Sequence, residues 1–167
     1  MTTGPIPARL AEVLTRRPLL VYGIGNVGRQ DDGVGPLLVD QVAARGVPDG
    51  VTLDSGYQLV PEDALLLSAH AAVLFVDASV DAATPHPYGL DVVMPASGVS
   101  FTSHALSPGA LLALCERLYG ARPDAWALTL PAREFEVNAA PGDEAARCLA
   151  RAVADVSTGL AAPSARR

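Results

Sequence analysis

The fold of this chain is decided by one stretch near its N-terminus, residues 19–35, which reads LLVYGIGNVGRQDDGVG. Its four leading apolar residues stop at a glycine, which predicts a strand over residues 19–22 that is buried on both faces. Apolar residues at helical spacing start only at Val34, so a helix is predicted over residues 34–44, before a stop signal at Gly46. The loop between this strand and this helix carries several glycines and two adjacent aspartates.

The same alternation of strand and helix continues along the chain. Further strands are predicted over residues 51–54, 72–76, 88–94 and 125–130. Further helices are predicted over residues 61–69, 108–119 and 142–156, while residues 134–137 form an extended tail of the last strand or a short edge strand. Such alternation is typical of a twisted, mainly parallel sheet with helices on both faces. We therefore predict a single-domain, doubly wound α/β fold with about five strands.

The composition limits the partners that the 167-residue chain can have. Its length is typical of one globular domain, since about 100–200 residues per domain is usual. All 12 basic residues are arginines and 18 residues are acidic, so the net charge is −6 and no basic face is available for nucleic acid. No apolar run approaches the roughly 20 residues that span a bilayer. Neither nucleic acid nor a membrane is expected as a partner.

The cysteines and the two ends of the chain complete this outline. Cys115 and Cys148 match no metal-binding or redox spacing and fall in predicted helices, where a reduced thiol acts as a small apolar side chain. The N-terminus lacks a secretory signal pattern, so a cytoplasmic location is expected. Residues 1–18 are predicted to be an N-terminal extension, with a short helix over residues 7–16 as one possibility. The domain then covers residues 19–158, and residues 159–167 form a disordered tail.

Three polar residues follow three predicted strands. Asp32 comes after the first strand, Asp77 directly after the strand at 72–76, and His104 after the strand at 88–94. In doubly wound sheets, ligands bind outside the carboxyl ends of the strands. Alone, Asp77 would be read as a turn cap and His104 as a surface residue. Together, two carboxylates and one imidazole suit a borderline divalent metal such as Ni²⁺ or Zn²⁺, with positions left open for a substrate.

A dinucleotide-binding site is the rival interpretation of the same loop. Gly23, Gly25 and Gly28 satisfy the G-x-G-x-x-G pattern, and Asp54 at the end of the second strand could hold a ribose. That motif needs a helix to begin among its glycines so that its amides meet the pyrophosphate. Here the helix signals start only at Val34, after two adjacent carboxylates that would repel a pyrophosphate. An NAD(P)-binding domain therefore stays as an alternative.

Four short motifs carry a resemblance to a known family: GIGN at 23–26, DDGVG at 31–35, VDA at 76–78, and SH at 103–104 ahead of an apolar helix. In spacing and order, the chain resembles the [NiFe]-hydrogenase maturation proteases, endopeptidases that trim the large subunit of a nickel-iron hydrogenase. The resemblance runs from about residue 19 to the final helix and implies a doubly wound α/β fold.

The resemblance also implies roles for particular residues. It implies that three residues contact the metal and carry catalysis, namely Asp32, Asp77 and His104. It implies a loop that presents Asp32 and contacts the substrate, formed by Gly25, Asn26, Asp31 and Gly33. From its position we expect Asp31 to cap the following helix or to face water. Asp54, Ser55 and Gly56 could line the cleft and help to bind the tail of the precursor.

Three departures separate this chain from many relatives in the family, and one of them is the N-terminal extension before the first strand. Residues 27–30 read VGRQ where many relatives have apolar residues, and the lead to the helix at 108–119 is Thr-Ser-His rather than the commoner Ser-Pro-His. His70 closes a helix and His86 lies between prolines, so neither is expected to be a metal ligand. Trp126 is expected to anchor the core or a sheet edge.

The activity that the resemblance implies is a single cut near the C-terminus of the large-subunit precursor, made after nickel has been installed. Nickel would come with the precursor, and no nucleotide cofactor would be needed. No serine or cysteine nucleophile is evident, so a water activated by a carboxylate or by the metal would attack. A nickel chaperone that uses the same three ligands without cutting is a further alternative, although the His-rich or Cys-rich tracts expected of one are missing.

Overall fold

The computed structural model describes residues 4–81, 87–96 and 106–162. In chain order the elements are α1 (Ile6–Leu14), β1 (Leu19–Ile24), a 3-10 helix (Gln30–Gly33), α2 (Val34–Ala43), β2 (Val51–Gly56), α3 (Asp63–Ser68), β3 (Ala72–Ser79), β4 (Gly89–Val92), α4 (Pro108–Tyr119), β5 (Asp124–Pro131) and α5 (Asp143–Ala161). No helix in these ranges has both the length and the apolar character that a membrane span requires.

The five strands form one sheet in the order β2-β1-β3-β5-β4. The first four in this order run parallel, and β4 pairs antiparallel with β5 along the edge. The strand order reverses beside β1, because the chain passes from β1 to β2 on one side and later to β3 on the other. The predicted doubly wound, mainly parallel α/β fold is confirmed.

Two buried clusters cover the two faces of the sheet. Alternate residues of a strand point to opposite faces, so Val21 of β1 joins the cluster beneath α1, α2 and α5, while Leu20 joins the cluster beneath α3 and α4. Both side chains are fully buried. Each buried aliphatic side chain of this size contributes roughly 1.5–3 kcal/mol. Helices on both faces therefore follow from strands that are apolar on both sides.

Helix α4 begins and ends where the sequence predicts. The Ser107 hydroxyl accepts a hydrogen bond from the Ala110 N–H at 3.2 Å, and Pro108 occupies the first helical position. The helix ends at Gly120, whose φ of +66° favours glycine. The cap places the start of α4 at the carboxyl ends of the parallel strands, close to the candidate site.

The N-terminal segment packs into the same core as the rest of the chain. Leu10 and Leu14 on one face of α1 are buried against α5, where Gly159 allows close approach because a Cβ there would lie 2.5 Å from Leu14 Cδ1. The Arg9 guanidinium donates to the carbonyl of Leu90 in β4 at 3.0 Å. Helix α1 therefore covers part of the edge strand, a position that is otherwise open to pairing with other chains.

Several boundaries shift by one or two residues from the predictions, and three differences are larger. Helix α5 continues to Ala161 because Leu160 is buried in the core, so the prediction of disorder is wrong for residues 159–161. Strand β3 extends to Ser79 rather than residue 76, because β5 pairs with it over its whole length. Residues 134–137 are not a strand, since side chains of the loop after β1 bind their backbone amides.

Candidate functional site

The loop after β1 folds tightly because several of its residues are glycines. Gly25 has a φ of +137°, and the carbonyl oxygen of Asp32 occupies the place where its Cβ would be. A Cβ on Gly33 would lie 2.7 Å from Val27 Cα. A Cβ on Gly35 would meet the carbonyl oxygens of the neighbouring strands, so α2 begins in close contact with the sheet. Glycine at these positions brings Asp32 back toward the end of β1.

Asn26 holds this turn through four hydrogen bonds, one of which its carbonyl accepts from the Arg29 N–H at 3.0 Å. Its side-chain oxygen accepts from the Gly28 N–H at 2.8 Å, and its side-chain amide donates to the Tyr57 hydroxyl at 2.7 Å. Its backbone N–H donates to Asp32 Oδ2 at 3.1 Å. Asn26 therefore joins the loop after β1 to the segment after β2, and it orients the Asp32 carboxylate directly.

Asp32 and Asp77 line one open cleft with a volume of about 390 Å³. Asp32 lies on the 3-10 helix after β1, and Asp77 lies within β3, where it pairs with Thr129 of β5. The other residues of the cleft come from β1, from the segment after β2 and from the start of α4; they are Ile24, Gly25, Tyr57, Gln58, Leu59, Leu106, Ser107 and Pro108. The structure thus brings two of the three predicted site residues together at the predicted edge of the sheet.

The pKa of Asp77 reflects its burial and its neighbours in the cleft. The pKa of Asp77 is raised from 3.8 to about 6, mainly by burial. A hydrogen bond from the Ala78 N–H at 2.8 Å opposes the rise, and the nearby negative charge of Asp32 adds to it. A carboxyl group with this pKa can accept or release a proton near neutral pH. A cation bound beside Asp77 would favour the charged form of its carboxyl group.

His104 lies outside the described residues. Leu106, two residues later in the sequence, lines the cleft. In the described ranges, no group of three or more His, Cys, Asp or Glu side chains is placed to hold a metal ion. The three-residue metal site therefore stays a prediction, with Asp32 and Asp77 in the cleft and His104 untested.

Asp31 does not have the position expected from the sequence. We predicted that it would cap α2 or face water, and that it would belong to the substrate loop. It is instead 2% exposed, and its carboxylate accepts three backbone hydrogen bonds. Oδ2 accepts from Arg133 at 2.8 Å and Glu134 at 3.0 Å, and Oδ1 accepts from Gly142 at 2.8 Å. Asp31 therefore binds the segment between β5 and α5 and turns away from water.

Several other predicted residues also have defined places. His70 contacts the Leu66 carbonyl at 2.8 Å and the Thr52 hydroxyl at 2.9 Å, which agrees with a structural role. Asp54 lies exposed on the edge strand β2 and accepts from its neighbour's N–H, and the cleft is lined by residues 57–59 instead. Trp126 is partly buried on β5 and packs against the core.

Cys115 is buried on α4 and Cys148 is partly buried on α5, and both are unpaired thiols. Burial raises the pKa of each thiol, which disfavours the reactive thiolate. His86 lies outside the described residues. The structure therefore offers no activated cysteine at the cleft among the residues that it describes.

The start of helix α2 bears on the dinucleotide interpretation. Helix α2 begins at Val34, six residues after Gly28, and a 3-10 helix with two carboxylates lies between them. The α-helix therefore does not begin among the glycines of the pattern, as a pyrophosphate site requires. The predicted start of the helix at Val34 is confirmed.

Comparison of whole structures identifies the fold. The chain superposes on the [NiFe] hydrogenase maturation protease HycI from Thermococcus kodakarensis KOD1 with a TM-score of 0.75, 17% sequence identity, and coverage of 91% of this chain and 98% of that chain. The chain therefore has the fold of the hydrogenase maturation proteases. The resemblance seen in the sequence motifs is confirmed for the fold.

Two further structures with this fold give similar values. The hydrogenase 2 maturation peptidase from Thaumarchaeota archaeon SCGC_AB-539-E09 has a TM-score of 0.61 and 22% identity, with 85% of this chain and 97% of that chain covered. The hydrogenase maturating endopeptidase HybD from E. coli has a TM-score of 0.66 and 17% identity, with 85% and 91% covered. In sequence comparisons, no protein-family model and no curated protein matches the chain.

Proposed function

We propose that this protein is an endopeptidase that removes a C-terminal extension from the nickel-loaded large-subunit precursor of a [NiFe] hydrogenase. The observation that carries the proposal is the pair of carboxylates, Asp32 and Asp77, in one open cleft at the carboxyl edge of a sheet with the maturation-protease fold. The fold by itself would not define an activity. The motifs DDGVG and VDA, which carry part of the resemblance in sequence, contain these two carboxylates.

Asp32, Asp77 and His104 would bind the nickel ion that the precursor carries. Two oxygens and one nitrogen form a ligand set that suits nickel and leaves positions for groups of the precursor. Nickel is then part of the substrate and positions the scissile peptide in the cleft. The orientation of Asp32 by the Asn26 N–H supports this role, because a ligand held in place loses little entropy on binding.

Asp77 would also act on the attacking water. Without the metal its pKa is about 6, so the carboxylate is largely ionised near neutral pH and can accept a proton from a water molecule. The cleft is open and leaves room for a peptide and a water molecule. Because the described part of the chain has no activated cysteine at the cleft, attack by water is preferred to a covalent intermediate.

Exposed apolar side chains at the same edge favour a protein as the substrate. Val27, Tyr57 and Val80 follow β1, β2 and β3, and they are 59%, 68% and 60% exposed. Apolar side chains gathered on an otherwise polar surface are typical of contacts with proteins. A cytoplasmic location, with neither nucleic acid nor a membrane as partner, is part of this proposal.

The test is the intact mass of the nickel-loaded precursor from the same organism before and after incubation with the protein. We expect loss of one C-terminal fragment from the loaded precursor and no change in a nickel-free precursor. Asp32→Asn should abolish the cut, whereas Asp54→Asn, which removes an exposed charge on β2 outside the cleft, should leave it intact.

Two other outcomes would overturn the proposal. Transfer of nickel without any change in the mass of the precursor would indicate a chaperone. If neither cleavage nor nickel transfer occurs, and titration with NADH quenches the fluorescence of the protein, the nucleotide-binding interpretation would be restored.

A further inference from the structure

Asp31 is an unusual residue for its position. It is a carboxylate at 2% exposure, next in sequence to Asp32, and its bonding partners are backbone amides. Burying a charged carboxylate is costly unless hydrogen bonds compensate for the lost water. Three amide donors at 2.8–3.0 Å supply that compensation. All three come from the segment between β5 and α5, residues 132–142, which we call the β5–α5 loop.

Neighbouring residues bind the same loop to the Asp32 turn. The Gln30 side chain, 7% exposed, donates to Glu134 Oε2 at 2.7 Å and accepts from the Glu136 N–H at 2.9 Å. The Gly28 carbonyl accepts from the Asn138 N–H at 2.9 Å. In the β5–α5 loop, Glu136 and Asn138 lie between the Asp31 contacts at Glu134 and Gly142. Hydrogen bonds therefore connect residues 28–31 to the β5–α5 loop at several points between residues 133 and 142.

This contact supports Asp32 from one side. On the other side, the Asn26 N–H binds the Asp32 carboxylate, and Gly25 packs against its carbonyl. The Asp32 backbone N–H also donates to the Arg29 carbonyl at 3.1 Å, within the same turn. Asp32 is thus held between the Asn26 turn and the part of the chain that Asp31 anchors.

We propose that Asp31 is a positioning residue, which fixes Asp32 at the cleft by anchoring the β5–α5 loop through three backbone amides. This inference rests on the proposed protease function, in which the placement of Asp32 matters for the rate. Misplacement of a reacting group by about 1 Å can lower a rate by about a hundredfold. Asp31 itself contacts neither the precursor nor its metal.

The main variant is Asp31→Asn. It keeps the size of the side chain but replaces one acceptor oxygen with an NH₂ donor, so at least one of the three amides loses its partner. We expect the maximum rate of precursor processing to fall about ten- to a hundredfold, with less than about a threefold change in KM. Gln30→Met removes the adjacent pair of bonds at similar size and should give a smaller change of the same kind.

Asp155→Asn is the matched control. Asp155 also accepts two hydrogen bonds at 2.8 Å, from Tyr88 and Arg151, but it lies on α5 among residues that do not line the cleft. The Asp155→Asn variant should be less stable than the wild type and should process the precursor at the same rate. Rates are measured at a temperature at which circular dichroism shows every variant to be folded, so that loss of stability alone does not change them.

Amide hydrogen exchange gives a second readout that does not depend on activity. In Asp31→Asn the amides of Arg133, Glu134 and Gly142 should lose protection, while amides of β1 and β3 keep theirs. Lost protection with an unchanged processing rate would overturn the positioning role. Unchanged protection would overturn the anchoring itself. If the wild-type protein does not cut the precursor, the proposed function fails, and exchange still tests whether Asp31 anchors the loop.

Discussion

Asp77→Asn is expected to stabilise the protein at neutral pH while abolishing precursor processing. The wild-type carboxylate is partly buried in β3 beside the charge of Asp32, and both effects oppose its ionisation. Asparagine has nearly the same shape and carries no charge, and its side-chain oxygen can still accept from the Ala78 N–H. The substitution therefore removes an unfavourable charge and keeps the local hydrogen bond.

The size of the effect follows from the raised pKa. A rise from 3.8 to about 6 corresponds to about 3 kcal/mol, at 1.36 kcal/mol for each tenfold change in proton affinity. Because the carboxylate borders an open cleft, solvent screens part of this energy. The hydrogen bond from Ala78 is also weaker to a neutral acceptor. We therefore expect the free energy of unfolding to increase by about 1 kcal/mol at neutral pH.

The pH dependence has a definite sign. Between the unfolded pKa of 3.8 and the folded pKa of about 6, the folded protein binds more protons at Asp77 than the unfolded chain does. Stability from this group is therefore present at low pH and is lost as the pH rises through this window. The advantage of Asp77→Asn over the wild type should be absent near pH 4 and complete above about pH 6.

Urea denaturation across this pH range, followed by circular dichroism, measures the difference. Asp91→Asn, an exposed acid on β4, is the control and should leave stability unchanged at each pH. A variant less stable than the wild type at every pH would refute the view that charge burial at Asp77 opposes folding. Full processing activity in Asp77→Asn would remove Asp77 from the proposed site.

Three further substitutions test the fold around the cleft, each by urea denaturation. Gly25→Ala should lower the free energy of unfolding by at least about 2 kcal/mol, because the φ of +137° and the overlap of the new Cβ with a carbonyl oxygen act together. Gly46→Ala, at φ +81° in open space, should lower it by about 1 kcal/mol. Equal losses would contradict the close approach at Gly25. Ser107→Ala should cost about 1 kcal/mol by removing the cap of α4, and no loss would show that the cap is dispensable. Leu14→Ala should lower the free energy of unfolding by about 2–5 kcal/mol, because the missing side chain leaves a cavity between α1 and α5. Leu118→Ala, at an exposed position, should lower it by less than about 0.5 kcal/mol. A small loss in Leu14→Ala would mean that α1 is not part of the cooperative core.

Local patterns were sufficient to predict the architecture. Strands buried on both faces appear as continuous apolar runs, and helices appear as apolar residues at helical spacing with caps such as Ser107 and Gly120. These signals lie within a few residues of each other, so they can be recognised without knowledge of the tertiary structure. The position of Asp32 and Asp77 at one edge followed from the topology, because parallel strands place their carboxyl ends together.

The ends of several elements depended on partners far away in sequence. Strand β3 continues to Ser79 because β5 pairs with it, and α5 continues past residue 156 because Leu160 finds a place in the core beside α1. Residues 134–137 have a strand-like pattern, yet side chains more than 100 positions away bind their amides. Local propensity competes poorly with such contacts, because the tertiary partner decides which hydrogen bonds are made.

By itself, the sequence determined the α/β architecture and the edge of the sheet at which Asp32 and Asp77 meet. Only the tertiary structure distinguished two adjacent aspartates, one in the cleft and one buried. The residue type and the local pattern are the same for both, and an aspartate is normally expected to be exposed. Asp31 is buried because the β5–α5 loop offers three amides that replace its water. That loop comes more than 100 residues later, so no local signal could show which of the two carboxylates it would bind.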